Sequence, residues 1–261
     1  MTAGNDHVLA RDLAVAAGER LLGLRGRGGE PDLLRKEGDR RSHEFLTAEL
    51  AARRPGDVVL SEEGADDPAR LAASRVWIVD PLDGTREFGD PGRTDWAVHV
   101  ALWARGEPGG SADLTAGAVA LPAQGMVLST VPGGATGAAG TRPGAADRVR
   151  IVVSRTRAPQ LVRDISDLID AELVPLGSAG AKVAAVVCGE ADAYVHAGGF
   201  YEWDTAAPVA VARAAGLHAS RIDGSPLAYN QPDLLMPDIL VCRPALAGPL
   251  LQAIREVTNA P

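Results

Sequence analysis

The chain has 261 residues, 46% of them hydrophobic, enough to bury the core of one large domain or of two packed lobes. Its 34 acidic side chains outnumber the 26 basic ones and leave a net charge of -8, which excludes a protein built to coat a nucleic acid polymer or an anionic membrane. A small anionic substrate stays open, because bound cations reverse the sign of a site locally.

Asn5 or Asp6 can cap a first helix whose apolar face is Val8, Leu9, Leu13, Ala17, Leu21 and Leu22. A Gly- and Arg-rich break follows from Gly23 to Pro31. HEFLTAELAARR predicts a second helix with Phe45, Leu46 and Leu50 inward, ending before Pro55. VVLSEE reads as a short strand ending in acids, RVWIVD as a strand buried on both faces, and TDWAVHVALW as a half-buried strand. LTAGAVALP and GMVLST form a hairpin joined near Pro122 to Gly125. PGGATGAAGTRPGAAD is a flexible connection, which divides the chain into lobes at 1–147 and 148–261.

Beyond the divide, VRIVVSR is a strand and PQLVRDISDLID a helix. Ser178 caps a helix through SAGAKVAAVVCGE, ADAYVHA is a strand, WDTAAPVAVARAAG is a helix ended by Gly216, and DILVC is a strand before a last helix. Strands and helices mix without a strict βαβ rhythm, which predicts layered sheets and helices. The two cysteines, Cys188 and Cys242, have no CxxC spacing and read as apolar core positions in a reduced, cytoplasmic protein. No stretch approaches the roughly 18 to 20 apolar residues of a membrane span, and acids early in the chain argue against a signal peptide.

The stretch WIVDPLDGTREF, residues 77–88, raises the chemical question. Pro81 pushes Asp80 into extended backbone, and Gly84 allows a sharp turn and a close approach after Asp83. Two carboxylates and the Leu82 carbonyl are thereby packed together, an arrangement that repels itself unless something neutralises it. Hard divalent cations such as Mg²⁺ do so with oxygen ligands. An ordinary Asp-Gly surface turn is the competing reading. Glu62 and Glu63 at the end of the preceding strand, Thr85 directly after the glycine, and Trp203-Asp204 opening a later helix favour the metal. An EF-hand is excluded by Pro81 and the spacing, and an aspartyl nucleophile of the D-x-D-G-T type would have to sit at position 81. GxxxxGK[ST], HExxH and GxSxG do not occur.

Asp80-Pro81-Leu82-Asp83-Gly84-Thr85, Glu62 in LSEEG, and Trp203-Asp204-Thr205-Ala206-Ala207 together resemble the two signatures of the inositol monophosphatase superfamily, whose members are Mg²⁺-dependent, lithium-sensitive phosphatases. Arg86-Glu87-Phe88 after DGT is more similar to the CysQ-type 3'(2'),5'-bisphosphate nucleotidases than to the inositol monophosphatases. The resemblance implies a layered α-β-α-β-α sandwich of the α/β (α+β) class and a frequent homodimer. It implies one Mg²⁺ on Glu62, Asp80 and the Leu82 carbonyl, a second on Asp80, Asp83 and Asp204, and a third, looser ion sharing Glu62. Most ligands would then come from the N-terminal lobe and Asp204 from the C-terminal one.

Thr85 matches the threonine that orients the attacking water. Its acidic partner belongs to a mobile loop, here the shortened RKEGDRRSHEFL, in which Asp39 aligns with the acid. The amides of Gly84 and Thr85, if they open a helical turn, face the phosphate. Ser178 and Lys182 in GSAGAK and Ser154-Arg155 after VRIVV resemble substrate-facing stretches; Arg86, Arg155 and Arg157 are candidates to grip a phosphate that is not hydrolysed. Tyr201 is a candidate to line the pocket. The five histidines show no ligand spacing and read as structural or surface groups. The resulting expectation is a phosphomonoesterase that removes the 3'-phosphate of 3'-phosphoadenosine 5'-phosphate. An inositol phosphatase, a sugar bisphosphatase and a non-catalytic metal or nucleotide binder are the alternatives.

Overall fold

The computed structural model of the chain describes residues 4–106, 112–134, 148–156 and 158–259. The first helix, α1, spans Gly4–Arg25, and the second, α2, spans Pro31–Arg53. Strands β1 (Val58–Ser61), β2 (Arg75–Asp83), β3 (Ala97–Ala104), β4 (Asp113–Leu121) and β5 (Met126–Ser129) form one five-stranded sheet in that order. Only the β1–β2 pair is parallel. A short helix, α3 (Thr85–Gly89), follows β2. Strands β6 (Arg150–Ser154), β7 (Glu172–Leu176), β8 (Ala193–Tyr201), β9 (His218–Ser220) and β10 (Leu235–Cys242) form a second, mixed sheet in the order β7-β6-β8-β10-β9. Helices α4 (Gln160–Leu168), α5 (Ala179–Val187), α6 (Glu202–Ala214) and α7 (Pro244–Thr258) complete the fold.

Three apolar clusters define the layers. Leu9, Leu13 and Leu21 of α1 and Leu46 and Leu50 of α2 pack on one face of the first sheet, against Trp77, Val98 and Val100. The other face meets α5 and α6, and the same cluster continues to Val152, Tyr194 and Ile239 of the second sheet. The far face of that sheet packs against Val162 and Ile165 of α4 and Leu250 and Ile254 of α7. The result is the α-β-α-β-α sandwich, in which each sheet buries both faces.

Several expectations are corrected. Helix α1 begins at Gly4, so Asp6 lies in its first turn rather than at its cap. There it is buried and bonds Arg54 at 2.7 Å and Arg75 at 3.0 Å. The stretch RKEGDRRSHEFL is not a loop: α2 starts twelve residues before His43, at Pro31, with the Glu30 side chain accepting from the Leu33 amide. Its polar first half is tied by Arg40 to Glu37 and Glu44 and by Arg41 to Glu37. Strand β1 stops at Ser61, leaving Glu62 and Glu63 in the turn beyond it, and β3 is buried on both faces rather than one. Strands β7, interrupted by Pro175, and β9, the polar HAS, lacked a readable alternation. Most of the connection read at 132–147, residues 135–147, lies outside the described residues.

Candidate active site

Strand β2 does not end at Asp80 but runs on to Asp83 through a bulge. Asp80 pairs with His99 and Asp83 with Ala97, so three steps on β2 match two on β3. Side chains three apart on a regular strand face opposite sides; the extra residue brings the two carboxylates to one side. Pro81 occupies the bulge, where no ladder amide is needed. Gly84 then takes φ +84, and a Cβ there would sit 3.0 Å from Ser178 Cβ and 3.3 Å from the Asp95 carbonyl. Both the backbone conformation and the crowding demand glycine.

Asp204, in the first turn of α6, is the third member. Oxygens of Asp80, Asp83 and Asp204 all lie within 4.8 Å of one another. Asp204 also accepts from the Tyr201 amide at 2.7 Å. Glu62, though exposed at its rim, brings its carboxyl against that of Asp80. Burial, and then the charges of Glu62, Asp83 and Asp204, push Asp80 well above the carboxylate range. Glu62 rises to about 7 through burial and the charge of Asp204, and Asp204 to about 6 through burial and Asp83.

Asp83 is the exception. Burial acts to raise it, but His99, Lys182 and the Gly180 amide outweigh that and hold it at about 2. His99 Nε2 is 3.1 Å from Asp83 Oδ2, and the Gly180 amide donates to the same oxygen at 2.7 Å. Four acids that repel each other's ionised forms, with one already ionised, are a donor set for a hard cation with oxygen ligands.

Thr85 and Asp39, paired in the sequence reading, are brought together from distant segments. Thr85 Oγ1 lies 3.2 Å from Asp39 Oδ1 and 3.0 Å from the Leu82 carbonyl; its one proton serves one of them at a time. Asp39 stands on α2, which is anchored beside the acids by Ser42 donating to the Pro81 carbonyl at 2.7 Å. A Cβ on Gly38 would come within 2.8 Å of Phe88 and 2.9 Å of Leu82, so this glycine sets the distance between α2 and the acidic turn. Burial, and then the charge of Glu63, raise Asp39 to about 7, against the Thr85 hydrogen bond.

Next to the acids is a cavity of about 180 Å³. Its lining includes Asp83, Gly84, Arg86, Ser154, Arg155, Ser178, Lys182 and Asp204 among the residues singled out in the sequence. Leu82 is buried behind it. Ser178 is the cap of α5, accepting from the Ala181 amide at 2.9 Å. Lys182 is buried, and its ammonium bonds the Gly177 carbonyl. Arg155 pairs with Glu87 at 2.8 Å, and Arg86 donates to Thr156 Oγ1 at 3.0 Å. Tyr201 is exposed, stacks on Trp203 and does not line this cavity. Arg157 lies outside the described residues.

Two groups were missed in the sequence. His99 is fully buried and backs Asp83, with Nδ1 donating to the Trp203 carbonyl at 3.2 Å. Asp95 ties the strand β3 approach to the α5 cap through the Gly177 amide at 2.6 Å. A polar His inside the apolar run of β3 was the only signal for the first; the second had none.

The pattern described as the inositol monophosphatase family matches residues 11–259. A protein of Mycobacterium leprae (strain TN), named 3'-phosphoadenosine 5'-phosphate phosphatase, is 53% identical over 97% of this chain and 94% of its own length. The 3'(2'),5'-bisphosphate nucleotidase CysQ of Escherichia coli (strain K12) is 33% identical over 72% of this chain and 76% of its own. Among solved structures, CysQ from Bacteroides thetaiotaomicron superposes with a TM-score of 0.75 at 31% identity, covering 91% of this chain and 96% of that one.

Proposed function

The chain belongs to the inositol monophosphatase family, and on that premise we propose that it is a Mg²⁺-dependent phosphatase that hydrolyses the 3'-phosphate of 3'-phosphoadenosine 5'-phosphate to give AMP. The observation that carries the reaction is the convergence of Asp80, Asp83 and Asp204 at the edge of a cavity that also holds Lys182 and Arg155. The substrate is supported by the relative of that name, similar over almost the whole chain.

Glu62, Asp80, Asp83, Asp204 and the Leu82 carbonyl are the groups to hold two or three ions, in the combinations the resemblance implies. When bound, such ions neutralise the phosphate, acidify the attacking water and stabilise the departing oxygen. The protein's own part is positional. Thr85 Oγ1 orients the water, and the Asp39 carboxylate, 3.2 Å from that hydroxyl, takes its proton. The amides of Gly84 and Thr85, which open α3, and Ser178 and Lys182 face the phosphate that is cleaved. Arg86, Ser154 and Arg155 face the one that is kept. No side chain acts as nucleophile.

The absence of a membrane-crossing helix among the described residues, two free cysteines and the charge of -8 support a cytoplasmic enzyme acting on a small phosphate ester, not on a nucleic acid polymer. A homodimer follows from the resemblance alone.

A retained phosphate supplies binding energy that a monophosphate lacks, and that energy raises kcat/KM. The expected kcat/KM for 3'-phosphoadenosine 5'-phosphate therefore exceeds that for inositol 1-phosphate by at least about tenfold, roughly 1.4 kcal/mol of transition-state stabilisation. Phosphate release from both, measured side by side at one Mg²⁺ concentration, checks it. An equal or reversed ratio leaves a broad-specificity or inositol phosphatase.

A further inference from the structure

Helix α6 opens on Glu202, two residues before Asp204. Glu202 is buried, and its carboxylate takes two consecutive backbone amides: Asn230 N donates to Oε2 and Gln231 N to Oε1, each at 2.7 Å. The same segment reaches past Asp204, where the Tyr229 hydroxyl donates to Thr205 Oγ1 at 3.2 Å. Asp204 is thus bracketed by bonds to residues 229–231.

Two amides on one carboxylate require a particular backbone. Asn230 has φ +57, a left-handed conformation that asparagine tolerates better than most residues. Successive amides in such a turn point to one side and form a cradle for an anion. The cradle is held from outside by Arg70, in the 3₁₀ turn Pro68–Leu71. Arg70 Nη1 donates to Asn230 Oδ1 at 2.8 Å and Nη2 to the Gln231 carbonyl at 2.8 Å, and Asn230 Nδ2 donates back to the Arg70 carbonyl at 3.2 Å. The guanidinium is buried and also pairs with Asp66 at 2.6 Å. Asp66 stands in the same connection after β1 as Glu62 and Glu63. Asp66, Arg70, Asn230 and Glu202 therefore form one line of bonds from the connection that carries Glu62 to the helical turn that carries Asp204.

Stability alone does not call for such a line. Well-packed apolar side chains in place of a buried charged group are often as stable or more so. A fully bonded polar network fixes direction as well as depth. The direction at stake here is that of Asp204 towards the acids of the first sheet.

We propose that Glu202, Asn230 and Arg70 are positioning residues for metal binding, a brace that fixes the carboxylate of Asp204 relative to Glu62 and the β2 acids. The assignment rests on the reading of Asp204 and Glu62 as metal ligands given above, and adds residues that act only through them.

The test is Mg²⁺ binding, titrated calorimetrically into the folded protein without substrate. Removing a group that orients a metal ligand typically costs about 10- to 100-fold in metal affinity. Asn230→Gly keeps the left-handed backbone accessible but removes both side-chain bonds to Arg70, and is expected to weaken Mg²⁺ binding by about tenfold. Asn230→Asp keeps the acceptor for Arg70 and is expected to restore most of the affinity. Glu202→Gln turns an amide donor towards a backbone amide; it is expected to lose at least as much as Asn230→Gly and serves if that variant does not fold. Ile254→Val in α7, on the far face of the second sheet, is the control: it lowers stability and leaves the Mg²⁺ affinity unchanged. Unchanged affinity in Asn230→Gly and Glu202→Gln, a loss that Ile254→Val reproduces, or no recovery in Asn230→Asp overturns the brace. If the unaltered protein takes up no Mg²⁺, the metal reading falls and the brace with it, a result distinct from equal affinities in protein and variants.

Discussion

At the scale of single residues, the site is built on unequal acids. Asp83 is held ionised by His99, Lys182 and the Gly180 amide, while burial and the charges of their neighbours make Asp80, Glu62 and Asp204 harder to ionise. Asp39 is different again: it touches Thr85 rather than the three-acid cluster, and burial beside Glu63 raises it to about 7. A base acts in its deprotonated form, so the activity that Asp39 supports should rise as pH climbs towards about 7. Cations bound at the neighbouring acids favour the carboxylate and move that limb to lower pH. If Asp39 and Thr85 orient one water as a unit, Asp39→Asn and Thr85→Ala each lower kcat with little change in KM. The double variant then loses less than the product of the two. Steady-state kinetics of the three variants over pH 5 to 9 checks this; multiplicative losses would mean that the two groups act independently.

At the scale of elements, α2 carries the most consequence. Its contact with the acidic turn is set by Gly38, against Phe88 and Leu82, and by the bond from Ser42 to the Pro81 carbonyl. Gly38→Ala inserts a methyl group where the nearest carbons would be 2.8 and 2.9 Å away. Overpacking of this kind costs about 1–3 kcal/mol, offset by about 1 kcal/mol of improved helix propensity. Stability should therefore fall by no more than about 2 kcal/mol, while α2 shifts and Asp39 leaves Thr85. The expected result is a fall in kcat towards that of Asp39→Asn, with no further loss when the two substitutions are combined. A thermal melt and kcat for the single and double variants check it; full activity in Gly38→Ala would show that α2 tolerates the shift.

At the scale of the whole molecule, the acid cluster joins the two sheets. Asp80 and Asp83 come from β2 of the first, and Asp204 from the helix that follows β8 of the second. Glu62, Asp39 and Asp204 have folded values of about 7, 7 and 6, above the ordinary range near 4 of an unfolded chain. Their contribution favours the fold below about pH 4 and is lost as pH rises through 6 to 7, because the native state then binds more protons than the unfolded one. Asp83, held at about 2, acts in the opposite sense, but its contribution is complete above about pH 4 and does not change across this window. Metal-free protein should accordingly melt lower at pH 8 than at pH 5.5, at about 2–4 °C per kcal/mol for a chain approaching this size. Mg²⁺ should raise the melting temperature more at pH 8, where protons no longer compete for the oxygens. Melting curves at both pH values, with and without Mg²⁺, check it; the same metal-induced rise at both would argue against protonated ligands.

The sequence by itself determined what local chemistry can determine. Two carboxylates three residues apart with a carbonyl between them repel one another wherever the chain places them, so Asp80-Pro81-Leu82-Asp83-Gly84-Thr85 reads as a cation site, and the resemblance to the family signatures is what joins Glu62 and Trp203-Asp204 to it. Helices with an apolar stripe, such as α1, were legible for the same reason, because period is local, although the cap of α1 was not. The tertiary structure decided the rest. The first half of α2 has little apolar periodicity and is held by a glycine against Phe88 and Leu82, contacts made 44 or more residues away. The bulge that brings Asp80 and Asp83 to one side exists only in the pairing with β3. His99 and Lys182 gain their importance from burial beside Asp83, and no spacing along the chain encodes burial between two sheets. The Asp80–Asp83 pair is written in short-range charge repulsion, whereas the order in which the clustered acids ionise is set by neighbours that only folding supplies.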